Sequence, residues 1–75
     1  MNKSVTGGNH SYKIIEVVGS SGEGSDDAIR NAVRDAARTL DNLDWFEVVE
    51  QRGHIEGGKV VHFQVTLKLG FRIET

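Results

Sequence analysis

Apolar and polar residues alternate through most of residues 45–71, with the two-residue period that is typical of β-strands. Gly57 and Gly58 interrupt this alternation near its middle. Both central positions of a type I′ turn need positive φ, which glycine adopts without steric cost, so the pattern predicts a β-hairpin. The predicted cross-strand pairs are Glu56 with Lys59, Ile55 with Val60, Gln51 with Gln64, and Trp45 with Gly70.

The predicted register sorts the hairpin side chains onto two different faces, because successive side chains of a strand point to opposite sides. The almost wholly apolar face is the predicted core and holds Phe46, Val48, Val61, Phe63, Val65, Leu67, Leu69 and Phe71. The opposite, mostly polar face holds Trp45, Glu47, Val49, Gln51, Val60, His62, Gln64, Thr66 and Lys68. A large aromatic ring and a carboxamide outside the core indicate a planar ligand, a partner subunit, or both.

Two further elements are predicted before the hairpin. Residues 12–18 are rich in β-branched side chains and predict a first strand. Ser25 is a predicted helix cap, and the acidic residues after it favour a helix over about residues 26–40. The helical stripe consists of Ala28, Ile29, Ala32, Val33, Ala36, Ala37, Leu40 and Leu43. Its alanines should let the helix lie close to the sheet.

The order strand, helix, strand, strand predicts a single α+β domain, β-α-β-β, with a three-stranded antiparallel sheet of order 1-3-2 wrapped on one helix. We expect residues 1–10 to be a disordered N-terminal tail and residues 11–75 to form the domain. One helix covers one face of the sheet, so the other face needs a neighbouring subunit.

Composition narrows the possible functions. The chain has 75 residues and no cysteine, a length at which one core is barely sufficient, so oligomerisation is the expected remedy. A net charge of −2 argues against a general nucleic-acid binder, and no segment resembles a signal peptide or a membrane span. The expected location is therefore the cytoplasm.

The candidate chemistry is binding rather than catalysis. No Ser/His/Asp or Cys/His set stands out, and the predicted register puts His54 and His62 on opposite faces, so we predict no catalytic residue and no metal site. Trp45 could stack on a flat heteroaromatic ring, and Gln64 could match the edge of a pyrimidine-like ring. They lie toward opposite ends of the hairpin, so spacing alone favours packing roles over ligand binding by roughly two to one.

Four segments carry a resemblance to a known family: YKIIEVVGSS, DDAI, TLDNLDWFEVVEQRGHIEGGKV and HFQVTLKLGFRIE, in this order and spacing. The combination of WFEV at 45–48, RGH at 52–54 and FQV at 63–65 is the most specific part. Nearly the whole chain after the tail resembles the dodecins, which are small flavin-binding proteins.

This resemblance implies a hollow dodecamer that holds flavins in pairs between symmetry-related tryptophans, here Trp45, with Gln64 at the edge of the isoalloxazine ring. Arg52 matches an arginine of bacterial members, which makes FMN the first choice and riboflavin the second. The predicted register puts Arg52 on the core side, so either a bulge near the turn reorients it or it acts at the sheet margin. The implied function is non-enzymatic flavin storage, with quenching of the flavin. The alternatives are a flavin-dependent redox enzyme and an oligomeric shell without flavin.

Overall fold

The structure is a computed structural model that describes residues 10–73. Its elements are β1 (Tyr12–Ser21), α1 (Ser25–Ala37), β2 (Leu43–Glu56) and β3 (Lys59–Arg72). Strand β3 is central and antiparallel to both of its neighbours, which confirms the predicted α+β fold and the sheet order 1-3-2. The predicted tail lies outside the described residues, apart from His10. No helix in the described part of the chain is long and apolar enough to cross a membrane.

The start of the helix differs from the prediction. Ser25 is the first helical residue, and the N-cap is Gly24, which makes no side-chain capping bond. Ser21, at the end of β1, orders the loop of residues 22–24 instead. Its hydroxyl oxygen accepts hydrogen bonds from the backbone N–H groups of Glu23 and Gly24 at 2.8 and 3.4 Å. The same hydroxyl donates to the carboxylate of Asp27 at 2.7 Å. A buried serine thus ties the strand to the first turn of the helix.

The end of the helix also differs, because α1 finishes at Ala37 rather than near Leu40. The backbone N–H groups of Thr39 and Leu40 both donate to the carbonyl of Ala36, at 3.2 and 3.1 Å. The chain then reverses through Asn42, which has a positive φ of 65°. Asparagine tolerates this left-handed conformation better than most residues, so it is well suited to end the connection into β2.

The helix packs closely on β1 and β3. The buried apolar side chains are Ala28 and Ala32 of α1 and Val65, Leu67 and Leu69 of β3. Gly19 of β1 permits the close approach, because a Cβ atom built there would lie 2.8 Å from the Cβ of Ala32 and overlap the carbonyl oxygen of Ala28. The prediction that small helical residues bring the helix close to the sheet is confirmed.

Strand β2 lies beyond the cover of the helix. Phe46 and Val48 belong to the helix side of the sheet, as predicted, but they are 51% and 43% exposed. The predicted core is therefore wrong at these positions, and every residue of β2 after Leu43 is exposed. The width of one helix is less than the width of three strands that are spaced about 4.8 Å apart and carry side chains, so a single helix cannot cover all three. The described part of the chain consequently leaves an apolar strip along β2 without cover.

The hairpin turn is as predicted, with φ of 58° at Gly57 and 77° at Gly58. The pairs of Glu56 with Lys59, Ile55 with Val60 and Trp45 with Gly70 are also confirmed.

Between these pairs the register departs from the prediction. Val61 of β3 and Val49 of β2 have no partner across the hairpin, so the pairing between them is shifted by one residue. Gln51 therefore faces Val65, and Gln64 faces Arg52. Because side chains alternate, this local shift exchanges the faces of residues 50–54 relative to the prediction.

Candidate functional site

The sheet face that points away from α1 is open in the described structure, and we call it the outer face. Its members alternate along β3 with the buried residues Val65, Leu67 and Leu69. On β2 and β3 the outer face consists of Trp45, Glu47, Glu50, Arg52, His54, His62, Gln64, Thr66, Lys68 and Gly70.

Trp45 lies at one end of the outer face, with its indole across the backbone of Gly70. A Cβ atom built on Gly70 would overlap the ring, at 2.6 Å from the Trp45 Cδ2 atom and closer still to two neighbouring ring carbons. The side chain of Trp45 is nevertheless 39% exposed. Glycine at this position thus allows the indole to lie down on the strand while much of the ring stays accessible.

A second aromatic ring borders Trp45. The centroid of the Tyr12 ring lies 6.4 Å from that of Trp45, with the two planes tilted by 53°. The phenol donates a hydrogen bond of 3.1 Å to a carboxylate oxygen of Asp44, so β1 is bridged to β2 over the central strand. This bond, followed by desolvation and the negative charge of Asp44, raises the pKa of Tyr12 above its ordinary value, and Arg72 opposes the shift.

The Tyr12–Asp44 bridge was not predicted. It depends on the register of β1 against β3, which places Tyr12 opposite Arg72, and on the irregular pairing at Asp44. No alternation in the sequence reveals either feature.

Arg52 and Gln64 meet in the middle of the outer face. They are direct cross-strand partners, and the Nε atom of Arg52 donates to the Oε1 atom of Gln64 at 3.3 Å. The guanidinium also lies 3.8 Å from the carboxylate of Glu50. The predicted core-side position of Arg52 is wrong, and the reason is the bulge at Val61 near the turn, one of the two alternatives that the sequence left open.

This pairing leaves useful hydrogen-bonding capacity. Arg52 is exposed, and its planar guanidinium carries five N–H donors, which suits binding of a carboxylate or phosphate. The oxygen of Gln64 accepts from Arg52, so its amide nitrogen presents two donors to a ligand carbonyl. The two side chains together can bind an anion and the acceptor edge of a ring.

Trp45 and Gln64 are not brought together within one chain. The partner of Trp45 is Gly70, six residues along β3 from Gln64. At the rise of an extended strand this separation is about 20 Å, which a single planar ring system does not span. If both residues contact one ligand, they must belong to different copies of the chain.

The histidines also differ from the prediction. His54 and His62 are direct partners across β2 and β3, so they share the outer face instead of lying on opposite faces. The physical reason is again the unpaired residue Val61, which shifts the pairing by one residue and brings His54 to the outer face, where His62 was predicted. The Nε2 atom of His54 lies 3.3 Å from a carboxylate oxygen of Glu56.

The fold and the outer face define a class of small β-α-β-β proteins whose sheet is covered on one side and open to a ligand or another chain on the other. The family model for Dodecin matches residues 11–74, and the chain belongs to this family. A curated dodecin of Thermus thermophilus is 51% identical over 63 residues, which cover 84% of this chain and 91% of that one.

Solved dodecin structures agree with the fold. The dodecin of Streptomyces coelicolor is 60% identical with a TM-score of 0.82, over 89% of this chain and 96% of that chain. The dodecin of Streptomyces davaonensis is 53% identical with a TM-score of 0.83, over 91% of this chain and 100% of that chain.

Proposed function

We propose that this protein is a flavin-binding store that sequesters FMN, or secondarily riboflavin, between tryptophans of neighbouring subunits and quenches its excited state. Membership of the dodecin family supports flavin as the ligand class. The observation that carries the proposal is the indole of Trp45, held against Gly70 on the outer face yet 39% exposed. An accessible, preoriented indole is a good stacking platform for an isoalloxazine ring.

The polar residues give the site its edge recognition. Gln64 would direct its amide N–H groups at a flavin carbonyl, while its own oxygen is oriented by Arg52. The same Arg52 guanidinium would bind the FMN phosphate, which riboflavin lacks. The carboxylate of Glu50, 3.8 Å away, competes with the phosphate for this arginine and should lower the affinity that Arg52 adds.

A homo-dodecamer in the cytoplasm is the form we propose for the functional protein. The separation of Trp45 from Gln64 requires more than one chain for a complete site. The exposed apolar strip on β2, including Phe46 and Val48, provides surface for the subunits to bury.

We propose binding without catalysis. A flavin stacked between two indoles has both ring faces covered, which leaves no approach for hydride transfer to a substrate. Asp44, the acid that directly precedes Trp45 in the chain, accepts the hydrogen bond of Tyr12. The alternatives, a flavin-dependent redox enzyme and a shell without flavin, make different predictions for the same experiment.

The test begins with the chromophore that copurifies with the protein, identified by chromatography after release, and with the particle mass from light scattering. FMN or riboflavin bound to particles of about twelve chains is the expected result. Titration with FMN should show strong fluorescence quenching for wild type, little for Trp45→Ala, and an intermediate value for Trp45→Phe, which keeps a smaller ring. Equal quenching in all three would refute the site.

Two other outcomes would favour the alternatives. Particles that form but bind neither flavin would indicate the empty shell. The redox enzyme would be indicated if a reductant turns over the bound flavin and Trp45→Phe slows this reaction without weakening flavin binding.

A further inference from the structure

We propose that His54 and His62 form a two-histidine site for a divalent transition-metal ion, such as Zn²⁺ or Cu²⁺, at the turn end of the outer face. The two imidazoles are cross-strand partners on one face of an antiparallel pair, and both residues are exposed. This site is independent of the proposed flavin function and uses neither Trp45 nor Gln64.

The backbone geometry suits chelation. Directly opposite residues of an antiparallel pair have Cβ atoms about 4.5–5.5 Å apart, close enough for both rings to turn toward one ion. A zinc ion needs its two imidazole nitrogens at about 2.0–2.1 Å, and rotation about the exposed side-chain bonds can provide this. The bulge at Val61 creates the alignment, because in a regular hairpin His54 would pair with Val61 and point to the helix side, away from His62.

Glu56 can orient one of the ligands. Its carboxylate lies 3.3 Å from Nε2 of His54, so a neutral imidazole would carry its proton on Nε2 and present the lone pair of Nδ1. A carboxylate that accepts from the non-coordinating nitrogen is the common outer-shell partner of a metal-bound histidine. The arrangement thus favours a tautomer of His54 that can bind the ion.

The surroundings select the class of metal. Arg52 lies 3.8 Å from the carboxylate of Glu50, and Lys59 is the cross-strand partner of Glu56, so each cation near the histidines has a carboxylate beside it or across from it. Within residues 10–73, no group of three or more His, Cys, Asp or Glu side chains is placed to hold a metal ion. The remaining ligands would therefore be water, and two imidazole nitrogens favour Zn²⁺ or Cu²⁺ over Mg²⁺ or Ca²⁺, which prefer ligands that are all oxygen.

The test is calorimetric titration of the assembled, flavin-free protein with Zn²⁺, in wild type and in single variants that replace one imidazole by an uncharged amide. We expect one ion per chain. Because the second imidazole binds intramolecularly, His54→Gln and His62→Gln should each lose affinity on the order of 100-fold. His10→Gln, which removes a histidine outside the hairpin, is the matched control and should bind as wild type. Cu²⁺ added to wild type should give an electron paramagnetic resonance spectrum with two coupled nitrogens.

Coexpression of the two single variants separates a site within one chain from a site between chains. A cross-strand site stays broken in such mixed particles, whereas a site shared by two chains would be partly restored and would overturn the proposal. Wild-type affinity in His62→Gln, or a loss of Zn²⁺ binding in His10→Gln alone, would also overturn it. Circular dichroism of each variant checks that the fold is intact.

Discussion

The substitution Gly70→Ala tests the seat of Trp45 without removing the indole. A Cβ atom at position 70 would overlap the ring carbons of Trp45, while the added methyl group would lie on the outer face, away from the core. The indole has to lift off β3 or rotate to another conformer. The stacking surface is then still present in the protein but no longer in the orientation that a flavin would meet.

The magnitude follows from the stacking contribution. Stacking of a flat heteroaromatic ring on an aromatic side chain is worth about 1–3 kcal/mol, so its loss should weaken FMN binding by roughly 5- to 150-fold. Folding stability should rise slightly or hardly change. Alanine lowers the conformational entropy of the unfolded chain relative to glycine, which stabilises the folded state by about 0.4–1 kcal/mol. A large loss of affinity with little loss of stability is the expected signature.

The assay is quenching of FMN fluorescence, with thermal unfolding and light scattering on the same samples. Gly22→Ala is the matched control, since a Cβ atom built on Gly22 meets nothing within 4 Å. We expect this control to bind FMN as wild type does. If Gly70→Ala also binds with wild-type affinity and quenching, the position of the indole over Gly70 is irrelevant to flavin binding and our account of the site is wrong.

Three further predictions concern other parts of the molecule. Gly19→Ala should lower the free energy of unfolding by about 1–3 kcal/mol, because its Cβ would overlap the packed helix; denaturation against the Gly22→Ala control decides it. Tyr12 is the only tyrosine in the sequence, so phenolate absorbance reports on it alone. The pKa of Tyr12 should lie above 10.0 in wild type and should fall in Asp44→Asn. The stabilisation from the Tyr12–Asp44 hydrogen bond should be lost as the pH rises through the raised pKa. Gln64→Glu should weaken FMN binding on the order of tenfold at neutral pH, because an ionised carboxylate has no donor for a flavin carbonyl. Mild acidification should restore part of this affinity, and a matching recovery in Gln64→Leu would contradict this reasoning.

Local sequence signals were sufficient for the overall topology. The Gly57-Gly58 turn was predictable because its two positive φ angles exclude most other residues. The alternation along β3 identified Val65, Leu67 and Leu69 as core, because the helix does cover this central strand. The turn signal depends on residues that are adjacent in sequence. The core signal depends on β3, whose surroundings follow from its central place in the strand order.

Signals for the coverage of β2 were absent from the sequence. Phe46 and Val48 alternate as core residues do, but burial depends on how far the helix reaches across the sheet. The spacing of apolar residues on α1 shows which side of the helix faces the sheet, and it does not show which strands lie beneath. The amino-acid pattern of an apolar strand that the helix leaves uncovered is the same as that of a strand in a complete core.

Two of the three irregularities in the β2–β3 pairing, the bulges at Val61 and Val49, explain why the candidate site was only partly predictable. Val61 adds a residue to β3 and Val49 adds one to β2, so the two shifts cancel and the pair of Trp45 with Gly70 keeps the register expected from the turn. Valine is common in regular strands, so neither bulge has a sequence signal. Residues 50–54 alone change face, which brings Arg52 to Gln64 and His54 to His62. A regular hairpin would have divided each of these pairs between the two faces, so the polar chemistry of the outer face depends on the two bulges and not on the composition of the strands.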